Sequence, residues 1–356
     1  MFVLLFQKNI SISALYKMRV GLNPQKDKEI TFSDYLHQII IPVYIPNQEG
    51  YFKESFEVFK ICLQSLFQTI HNKTFITIVN NGSGHFVKDY LDGLLKSNKI
   101  HEVIHTENIG KVNAVLKGLA GNNIELVTIS DADVLFLKDW QKETFKVFKA
   151  FPKAGVVGLT PQFCMFKSYC SNLIWDNLFN SDFKFLPVKN KEALIQFYDS
   201  IGWKRDYNPD YLEFVLGLEA PNGLRALAGS GHFVATYKKA IFENMISYIG
   251  YKMGTRSMEY LDRLPFEKDY WRLTTYDNYA YHMGNILEEA FKEKLASNEK
   301  IEVEALSSFD FLVQRKTSKL LWLIKNKIFP KILRIKTFYK FFLLHKKLPK
   351  VMVDTF

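Results

Sequence analysis

Short apolar segments alternate four times with longer helical patterns between residues 38 and 160. The short segments are rich in Ile and Val, which is typical of buried strands, and the longer ones repeat apolar residues at helical spacing. Because parallel neighbours are joined by a helical crossover, this alternation predicts an α/β fold, a mostly parallel sheet flanked by helices. The predicted strands are 38–43, 74–80, 101–106, 125–130 and 154–160, and the predicted helices are 55–71, 86–97, 111–120 and 142–151.

Polar residues follow the second, third and fourth predicted strands at the point where each strand ends. Ligands of parallel sheets bind beyond the carboxyl ends of the strands, so these residues are expected to form one polar rim. The rim is the predicted ligand site. Its members are Asn80-Asn81-Gly82-Ser83, Asn108-Ile109-Gly110-Lys111 and Asp131-Ala132-Asp133.

Asp131 and Asp133 place two carboxylates at the end of an otherwise apolar strand. Such carboxylates are hard oxygen ligands, which suit Mg²⁺ or Mn²⁺ shared with substrate phosphates. An isolated Asp-x-Asp is more often a turn or a helix cap, but the neighbouring Asn and Gly turns favour the metal site. Lys111 is either an ordinary solvated lysine or a pyrophosphate contact at a helix N-terminus that favours anions, and the second interpretation is preferred.

Four motifs in this order resemble family 2 glycosyltransferases with a GT-A, Rossmann-like fold. They are "IIIPVY" at the first strand, "IVNNGS" at the second, "NIGKVNAVLKGL" at the third and "ISDADVLF" at the fourth, and the resemblance covers residues 38–284. It implies a UDP- or GDP-linked sugar donor and a divalent cation, Mn²⁺ or Mg²⁺. The expected reaction is transfer of a hexose-type sugar to a hydroxyl of a glycan or lipid-linked acceptor, with inversion, as in surface-polysaccharide synthesis.

The resemblance also implies roles for residues of the first half. Pro42, Val43 and Tyr44 would flank the base and ribose, and Asp131-Ala132-Asp133 would approach the ribose and the metal. Asn81 stands where the family usually has a uracil-contacting Asp. Because its amide offers both a donor and an acceptor, guanine is a candidate base beside uracil.

A glycine-rich segment in the second half resembles the one that lies beside the sugar and acceptor in this family. It contains Gly229, Ser230, Gly231 and His232. Glycines would let the backbone approach a ligand closely, although a bulge or a tight turn has the same sequence. His232 is alternatively only a polar tip on a strand.

An inverting transferase needs a carboxylate that removes the proton of the acceptor hydroxyl. In the family this acid follows the glycine-rich segment by a few tens of residues, where Glu259, Asp262, Glu267 and Asp269 are the candidates. Asp262 is favoured because Pro265 ends the predicted helix just after it, and Glu259 could share its helical face. Asp269 precedes an Arg-Leu pair that also resembles the family pattern.

His282 ends a strand-like aromatic alternation, "YDNYAYHMGN". In several GT-A enzymes a late His completes the metal shell, and imidazole suits Mn²⁺. The predicted metal ligands are therefore Asp131, Asp133 and His282. A histidine satisfied by the backbone is the alternative for His282.

Basic charge concentrates at the end of the chain, in a segment that we name the basic tail, residues 311–356. Net charge is +10 overall, yet residues 311–353 contain twelve Lys or Arg and no Asp or Glu. Apolar residues at helical spacing between them predict an amphipathic helix, broken at Pro330, that docks on an anionic membrane surface. A helix packed on the body is the alternative, and no nucleic-acid partner is expected because no such module precedes the tail.

These features predict three regions and an intracellular location. The regions are an N-terminal extension (1–37), a glycosyltransferase domain (38–310, divided after residue 160 into nucleotide-binding and acceptor halves) and the basic tail. The spacing of Cys62, Cys164 and Cys170 suits neither a disulfide framework nor a zinc site, and no signal peptide is recognised, so a cytoplasmic protein at the inner face of the membrane is expected. A sugar-phosphate nucleotidyltransferase and a non-catalytic, membrane-docked sugar-binding protein are the alternative functions.

Overall fold

The computed structural model describes residues 21, 23–29, 33–297 and 317–356. The chain divides into two units, Met1–Phe32 and Ser33–Phe356. In the first unit the described residues include a turn in which the Lys26 amide donates to the Asn23 carbonyl at 2.9 Å. The helices and strands below belong to the second unit.

The first half of Ser33–Phe356 confirms the predicted alternation of strands and helices. Observed boundaries agree with the predicted ones to within two residues, and a short strand that was not predicted follows the fourth strand. The elements are β1 (His37–Val43), α1 (Ser55–Thr69), β2 (Thr74–Asn81), α2 (His85–Lys96), β3 (Glu102–Thr106), α3 (Lys111–Leu119), β4 (Leu126–Ser130), β5 (Val134–Phe136), α4 (Trp140–Ala150) and β6 (Ala154–Gly158).

The second half continues with shorter elements and ends in the helices of the basic tail. Its elements are α5 (Ser171–Asp176), β7 (Phe183–Pro187), α6 (Lys191–Ser200), β8 (Phe214–Glu219), β9 (Arg225–Ala228), β10 (Val234–Lys238), α7 (Thr255–Glu267), β11 (Trp271–Thr275), β12 (Ala280–His282) and α8 (Glu289–Ser297), followed by α9 (Lys319–Leu323), α10 (Phe329–Leu333) and α11 (Lys336–His345).

Within the described residues the main sheet has ten strands in the order β3-β2-β1-β4-β10-β6-β11-β9-β8-β7, and β12 pairs with β5 separately. β1 is parallel to β2 and β4, and β2 is parallel to β3. β10 is antiparallel to both β4 and β6. Seven strands (1, 2, 3, 4, 6, 8 and 11) run in one direction, so the predicted mostly parallel α/β sheet is confirmed.

The carboxyl ends of β1, β2 and β4 meet at one edge of the sheet. Val43 lies opposite Asn80 in the β1–β2 pair, and Ile40 lies opposite Ile129 in the β1–β4 pair. Ile39 packs in the same apolar cluster as α1, whereas Ile40 packs in the cluster that contains α3. Helices therefore cover both faces, and the sheet edge is where ligands have access.

A hydrogen-bonded network of buried polar groups joins β1, β4 and α4. The Gln141 amide donates to His37 Nδ1 at 2.9 Å, which leaves His37 Nε2 to donate to Thr128 Oγ1 at 2.7 Å. The His71 backbone amide donates to Gln141 Oε1 at 2.9 Å. Burial holds the pKa of His37 well below its usual value and lowers that of His71 to about 4, so both rings are neutral in the folded protein.

Stability is expected to fall as pH decreases from about 6.5 to about 4. In this window an unfolded histidine binds a proton that His37 and His71 cannot bind, so each costs about 1.4 kcal/mol per pH unit. Urea unfolding at several pH values measures this slope. His71→Gln should reduce the slope by about 1.4 kcal/mol per pH unit, which is the contribution of one proton. His85→Gln, at an exposed position, should not change the slope. An unchanged slope in His71→Gln would contradict the assignment.

The described part of the basic tail, residues 317–356, packs on the body. Phe329, Phe342 and Phe356 join an apolar cluster with side chains of α4, α5 and β7. The helical conformation continues through Pro330 and breaks at Ile335, so the predicted break at Pro330 is wrong. A wider π-helical turn, Ile324–Ile328, precedes Pro330 and accommodates a residue that lacks an amide hydrogen.

Four charged side chains fasten the tail to the body. Lys325 pairs with Asp176 at 2.6 Å and with Asp269 at 3.4 Å. Lys153 pairs with the same two carboxylates, with Asp269 at 3.1 Å. The Thr317 hydroxyl donates to Asp269, whose side chain is 3% exposed. Lys325, which is buried, and Lys153, which is partly buried, thus neutralise two carboxylates, and we name this set the ion-pair cluster.

Lys325→Met is expected to lower the free energy of unfolding by about 3–5 kcal/mol, because it leaves Asp176 and Asp269 with Lys153 as their one cation, so that one negative charge of the ion-pair cluster is uncompensated. Lys331→Met removes the same charge from an exposed position one helical segment later and should change stability by less than about 0.5 kcal/mol. Urea unfolding of the two variants makes the comparison. Equal effects would show that the ion-pair cluster does not hold the tail.

Candidate active site

One cleft of about 380 Å³ lies at the carboxyl ends of β1, β2 and β4. It brings together residues that are far apart in the sequence and that were predicted to contact a donor. Asn80 and Gly82 lie in the turn beside it. The predicted residues that line the cleft are Pro42, Val43, Tyr44, Asn81, Lys111, Asp131, Ala132 and Asp133.

Aromatic side chains form one side of the cleft. Tyr44 is 40% exposed, and its ring meets the Phe52 ring edge-on with centroids 5.8 Å apart. Tyr51 packs on Phe52 in the same way at 5.1 Å. Such a wall can stack against a planar ring. Tyr51 and Phe52 were not predicted, because the loop that carries them has no strand or helix pattern.

Asn80 and Asn81 end β2, and their side chains hold the turn that follows. Asn80 Oδ1 accepts from the Ser83 amide at 2.9 Å, and its amide nitrogen lies 3.0 Å from His105 Nδ1. Asn81 Oδ1 accepts from the Ile109 amide at 2.9 Å. Asn80 therefore supports the turn, whereas the NH₂ group of Asn81 makes no hydrogen bond to the described residues.

Gly110 allows a second loop to close over the polar rim. Its φ is +92°, and a Cβ atom there would lie 2.7 Å from Lys252 Cα. The close approach of the two loops allows the Lys111 amide to donate to the Lys252 carbonyl at 2.9 Å. Lys252 and Met253 line the cleft as a result, which the sequence pattern did not indicate.

The two aspartates of the rim have different surroundings. The Lys111 ammonium group pairs with Asp131, and the Asp131 amide donates to the Phe233 carbonyl at 2.7 Å. Asp133 faces His282, with Oδ2 3.5 Å from Nε2, and burial raises the pKa of Asp133 while His282 opposes that rise. Lys111 therefore neutralises one carboxylate, and the other lies beside an imidazole.

The surroundings of His282 fit a cation. The Ser200 hydroxyl donates to the Phe197 carbonyl at 2.6 Å, so it accepts from His282 Nδ1 at 2.9 Å. His282 Nε2 then carries a lone pair toward Asp133, whose Oδ1 has no hydrogen-bond partner among the described residues. Two facing acceptors suit a divalent ion. No set of three or more His, Cys, Asp or Glu side chains in the described ranges is arranged to hold one alone, so substrate oxygens would have to complete its shell.

The glycine-rich segment contacts the protein's own loops. A Cβ atom at Gly229 would lie 2.5 Å from Met165, and one at Gly231 would lie 2.1 Å from the Gln162 side chain. Ser230 donates to the Gly231 carbonyl at 2.8 Å. These glycines therefore serve close packing, and His232 is the residue of the segment that points to solvent.

His232 and Asp262 form a pair that is held from behind. His232 Nδ1 lies 3.1 Å from Asp262 Oδ2, and the buried Arg272 donates to Asp262 Oδ1 at 2.6 Å. Arg272 also donates to the carbonyls of Ser168 and Ser230. The His232 side chain is 39% exposed, and its Nε2 makes no hydrogen bond within the described part of the chain. Both Asp262 oxygens are engaged, so His232 Nε2 is the accessible group of the pair.

The other two predicted bases are placed differently. Glu259 accepts a hydrogen bond from the Tyr169 hydroxyl on the same side of α7 as Asp262. Asp269 belongs to the ion-pair cluster, where burial raises its pKa but the Thr317 hydroxyl and the two lysines together hold it below the usual value. Its position beside the tail is inaccessible to an acceptor. The sequence pattern could not reveal this, because Lys153 and Lys325 are distant in the chain.

The chain is similar to one protein-family model and to solved structures. Residues 39–203 match the family model described as glycosyl transferase family 2. No curated protein sequence matches the chain. Among solved structures, S. aureus TarS is 14% identical with a TM-score of 0.41, over 73% of this chain and 38% of that one. S. aureus TarS 1–349 in complex with UDP-GlcNAc is 16% identical with a TM-score of 0.39, over 74% and 66%.

Within the described residues no helix is long and apolar enough to cross a bilayer. The three cysteines are free thiols, and Cys62 and Cys170 are buried, as expected for packing residues.

Proposed function

We propose that the protein, whose residues 39–203 match the family model of glycosyl transferase family 2, transfers a sugar from a nucleotide-sugar donor to a hydroxyl of a glycan or lipid-linked acceptor. The observation that supports the proposal most is that groups suited to each part of a nucleotide-sugar line the same cleft. It collects an aromatic wall, the Asn81 amide, Lys111 and Lys252, and the two rim aspartates at the sheet edge. A planar base, a diphosphate and a cation each have a complementary group there.

The donor would bind with its base on the aromatic wall. Tyr44 would stack on the ring, and the free NH₂ of Asn81 would donate to a base carbonyl, which both uracil and guanine possess. Lys111 and Lys252 would contact the diphosphate as cations. This placement keeps the donor UDP- or GDP-linked, as expected from the sequence.

Asp133, Asp131 and His282 would hold Mn²⁺ or Mg²⁺ together with the diphosphate. When bound, the cation would neutralise charge on the departing nucleoside diphosphate. The protein's own groups orient this site: Ser200 fixes the His282 tautomer, and Lys111 keeps Asp131 in place.

The proton of the acceptor hydroxyl would pass to His232 Nε2. Asp262 would hold the imidazole through Nδ1, and Arg272 would keep Asp262 in position. A positioned base removes the proton as the hydroxyl oxygen attacks the anomeric carbon from the face opposite the leaving diphosphate, which gives inversion. Asp262, the favoured base from the sequence, thus acts through His232.

An anionic membrane surface would be the second partner. Leu320, Ile328, Ile332 and Ile335 are exposed on the outer face of the basic tail. Five cations lie among them, and residues 317–353 contain no acidic residue. Exposed apolar side chains between cations complement an anionic bilayer, which would place the enzyme at the inner face of the membrane. The cations are Lys319, Lys327, Lys331, Arg334 and Lys336.

Ile328→Asp/Ile332→Asp is expected to weaken binding to phosphatidylglycerol vesicles by at least about tenfold, because it removes two apolar contacts and adds repulsion. Val351→Asp, at an exposed position near the end of the chain, should weaken binding much less. Vesicle sedimentation measures both. If the two variants bind alike, the outer face of the tail is not the docking surface.

Equilibrium titration with UDP, GDP and TDP, with and without Mn²⁺, tests donor binding. At least one nucleoside diphosphate should bind, and more tightly with Mn²⁺. A protein that binds none of the three would contradict the proposal.

A further inference from the structure

A second groove lies away from the cleft, between the basic tail and the segment Phe166–Ser171. Its volume is about 730 Å³. Four cations line it and no acidic residue does: Lys167, Lys327, Arg334 and Lys336. The donor cleft, in contrast, pairs two lysines with two aspartates. The groove therefore favours an anion. None of its four cations lines the donor cleft, so donor binding there does not explain them.

The groove also contains buried polar groups without partners. Asn326 is 5% exposed, and neither its amide nitrogen nor its oxygen has a hydrogen-bond partner among the described residues. Ser171 Oγ and the Tyr339 hydroxyl are likewise buried and without a partner there. All three residues line the groove. A buried amide that makes no hydrogen bond lowers the stability of the folded protein. Such a group is expected where a ligand provides the missing hydrogen bonds.

Three of the four cations interact with other groups of the protein. Lys167 donates to the Phe356 carbonyl at 2.7 Å, and Lys327 lies over the Trp322 ring at 5.7 Å. Lys340 lowers the pKa of the Asp354 carboxyl, and Lys336 adds a smaller effect in the same direction. Arg334 is exposed on the rim of the groove. Its planar guanidinium is the group best suited to a tetrahedral oxyanion.

The chemistry of this groove points to a phosphate ester. We propose that the groove binds the phosphate of a phosphate mono- or diester, with Arg334 and Lys336 on the phosphate oxygens and Asn326, Ser171 and Tyr339 on the polar groups next to it. Phe166, Phe266 and Pro330 supply an apolar floor for the attached carbon chain.

The groove leads toward the proposed catalytic pair. Tyr169 lines it and donates to Glu259, which lies one helical turn before Asp262 on α7. We therefore assign the phosphate to the acceptor, an assignment that rests on the proposed transferase function. Phosphate binding itself does not need that function and is measured without any sugar nucleotide.

Titration calorimetry of the full chain with glycerol 3-phosphate and with inorganic phosphate tests the site. The ester should bind more tightly than inorganic phosphate. Arg334→Ala should weaken ester binding by at least about tenfold, because it removes a charge-assisted contact. Lys350→Ala, which removes an exposed charge from the tail outside the groove, should stay within about twofold.

Asn326→Leu separates a ligand contact from a structural role. It should weaken ester binding about tenfold while the melting temperature stays constant or rises, because an unsatisfied buried amide is replaced by an apolar group of similar size. A drop in both binding and melting temperature would show a structural asparagine, and Arg334→Ala then carries the test.

Three results would overturn the proposal. One is the absence of binding by either soluble probe. Another is equal weakening by Lys350→Ala and Arg334→Ala, which would mean diffuse charge attraction. The third is that Arg334→Ala weakens binding to phosphatidylglycerol vesicles but leaves ester binding unchanged, which would assign Arg334 to membrane docking alone.

Discussion

Asp133→Asn is expected to lower kcat/KM for sugar transfer by about 10³-fold. The carboxylate lies at the sheet edge opposite the His282 Nε2 lone pair, and its Oδ1 has no partner in the described part of the chain. An amide keeps the shape but loses the charge, and metal-dependent stabilisation of a leaving group supplies several kcal/mol, of which about 4 kcal/mol corresponds to 10³-fold. Steady-state kinetics with the donor identified by titration measures the effect.

Asp139→Asn is the matched control for this change. It makes the same substitution six residues later, outside the cleft. The backbone of Asp139 is in the left-handed conformation, which Asn also adopts readily. Its activity should stay within about threefold of the wild type. Removal of divalent ions by a chelator should abolish wild-type transfer, and Mn²⁺ should restore it. Full activity of Asp133→Asn, or of the chelated wild type, would contradict the cation site.

His232→Ala is expected to lower kcat by about 10²–10⁴-fold with little change in donor affinity, because a general base acts on the chemical step. Asp262→Asn should lower kcat less, since it leaves the imidazole in place without its carboxylate. Donor titration and single-turnover kinetics separate the two effects. His85→Gln, at an exposed position on α2, should transfer sugar normally.

An unchanged kcat in His232→Ala together with a large loss in Asp262→Asn would return the base role to Asp262 itself. A loss in Glu259→Gln alone would move it to Glu259. If all three variants kept full activity, proton removal would have to occur elsewhere in the protein.

The sheet and the polar rim could be predicted because their signals are local. Ile- and Val-rich runs with helices between them specify a parallel order, and parallel strands bring their carboxyl ends to one edge. Asn81, Lys111 and Asp131 therefore had to meet. Strand β10 could not be placed, because its neighbours β4 and β6 lie about a hundred residues earlier and an antiparallel insertion leaves no mark on its own sequence.

Residues that depend on distant partners were the ones that sequence patterns could not assign. Asp262 and Asp269 are the same residue type a few positions apart, and the sequence does not distinguish their roles. In the structure Asp262 contacts Arg272 and His232. Asp269 contacts Lys153 and Lys325. The same holds for the basic tail. Helical spacing predicts a helix but not which of its faces packs on the body. Lys325 is buried because it pairs with Asp176 and Asp269, and Ile328 and Ile332 are then exposed.

Turnover of a panel of UDP-, GDP- and TDP-sugars with Mn²⁺ tests the central claim most directly. The account predicts that the wild-type protein releases a nucleoside diphosphate from at least one of them and that Asp133→Asn does not. Release of pyrophosphate from a nucleoside triphosphate and a sugar phosphate would instead indicate a nucleotidyltransferase. Donor binding without turnover would indicate a sugar-binding protein, and either result would contradict the claim that this cleft catalyses sugar transfer.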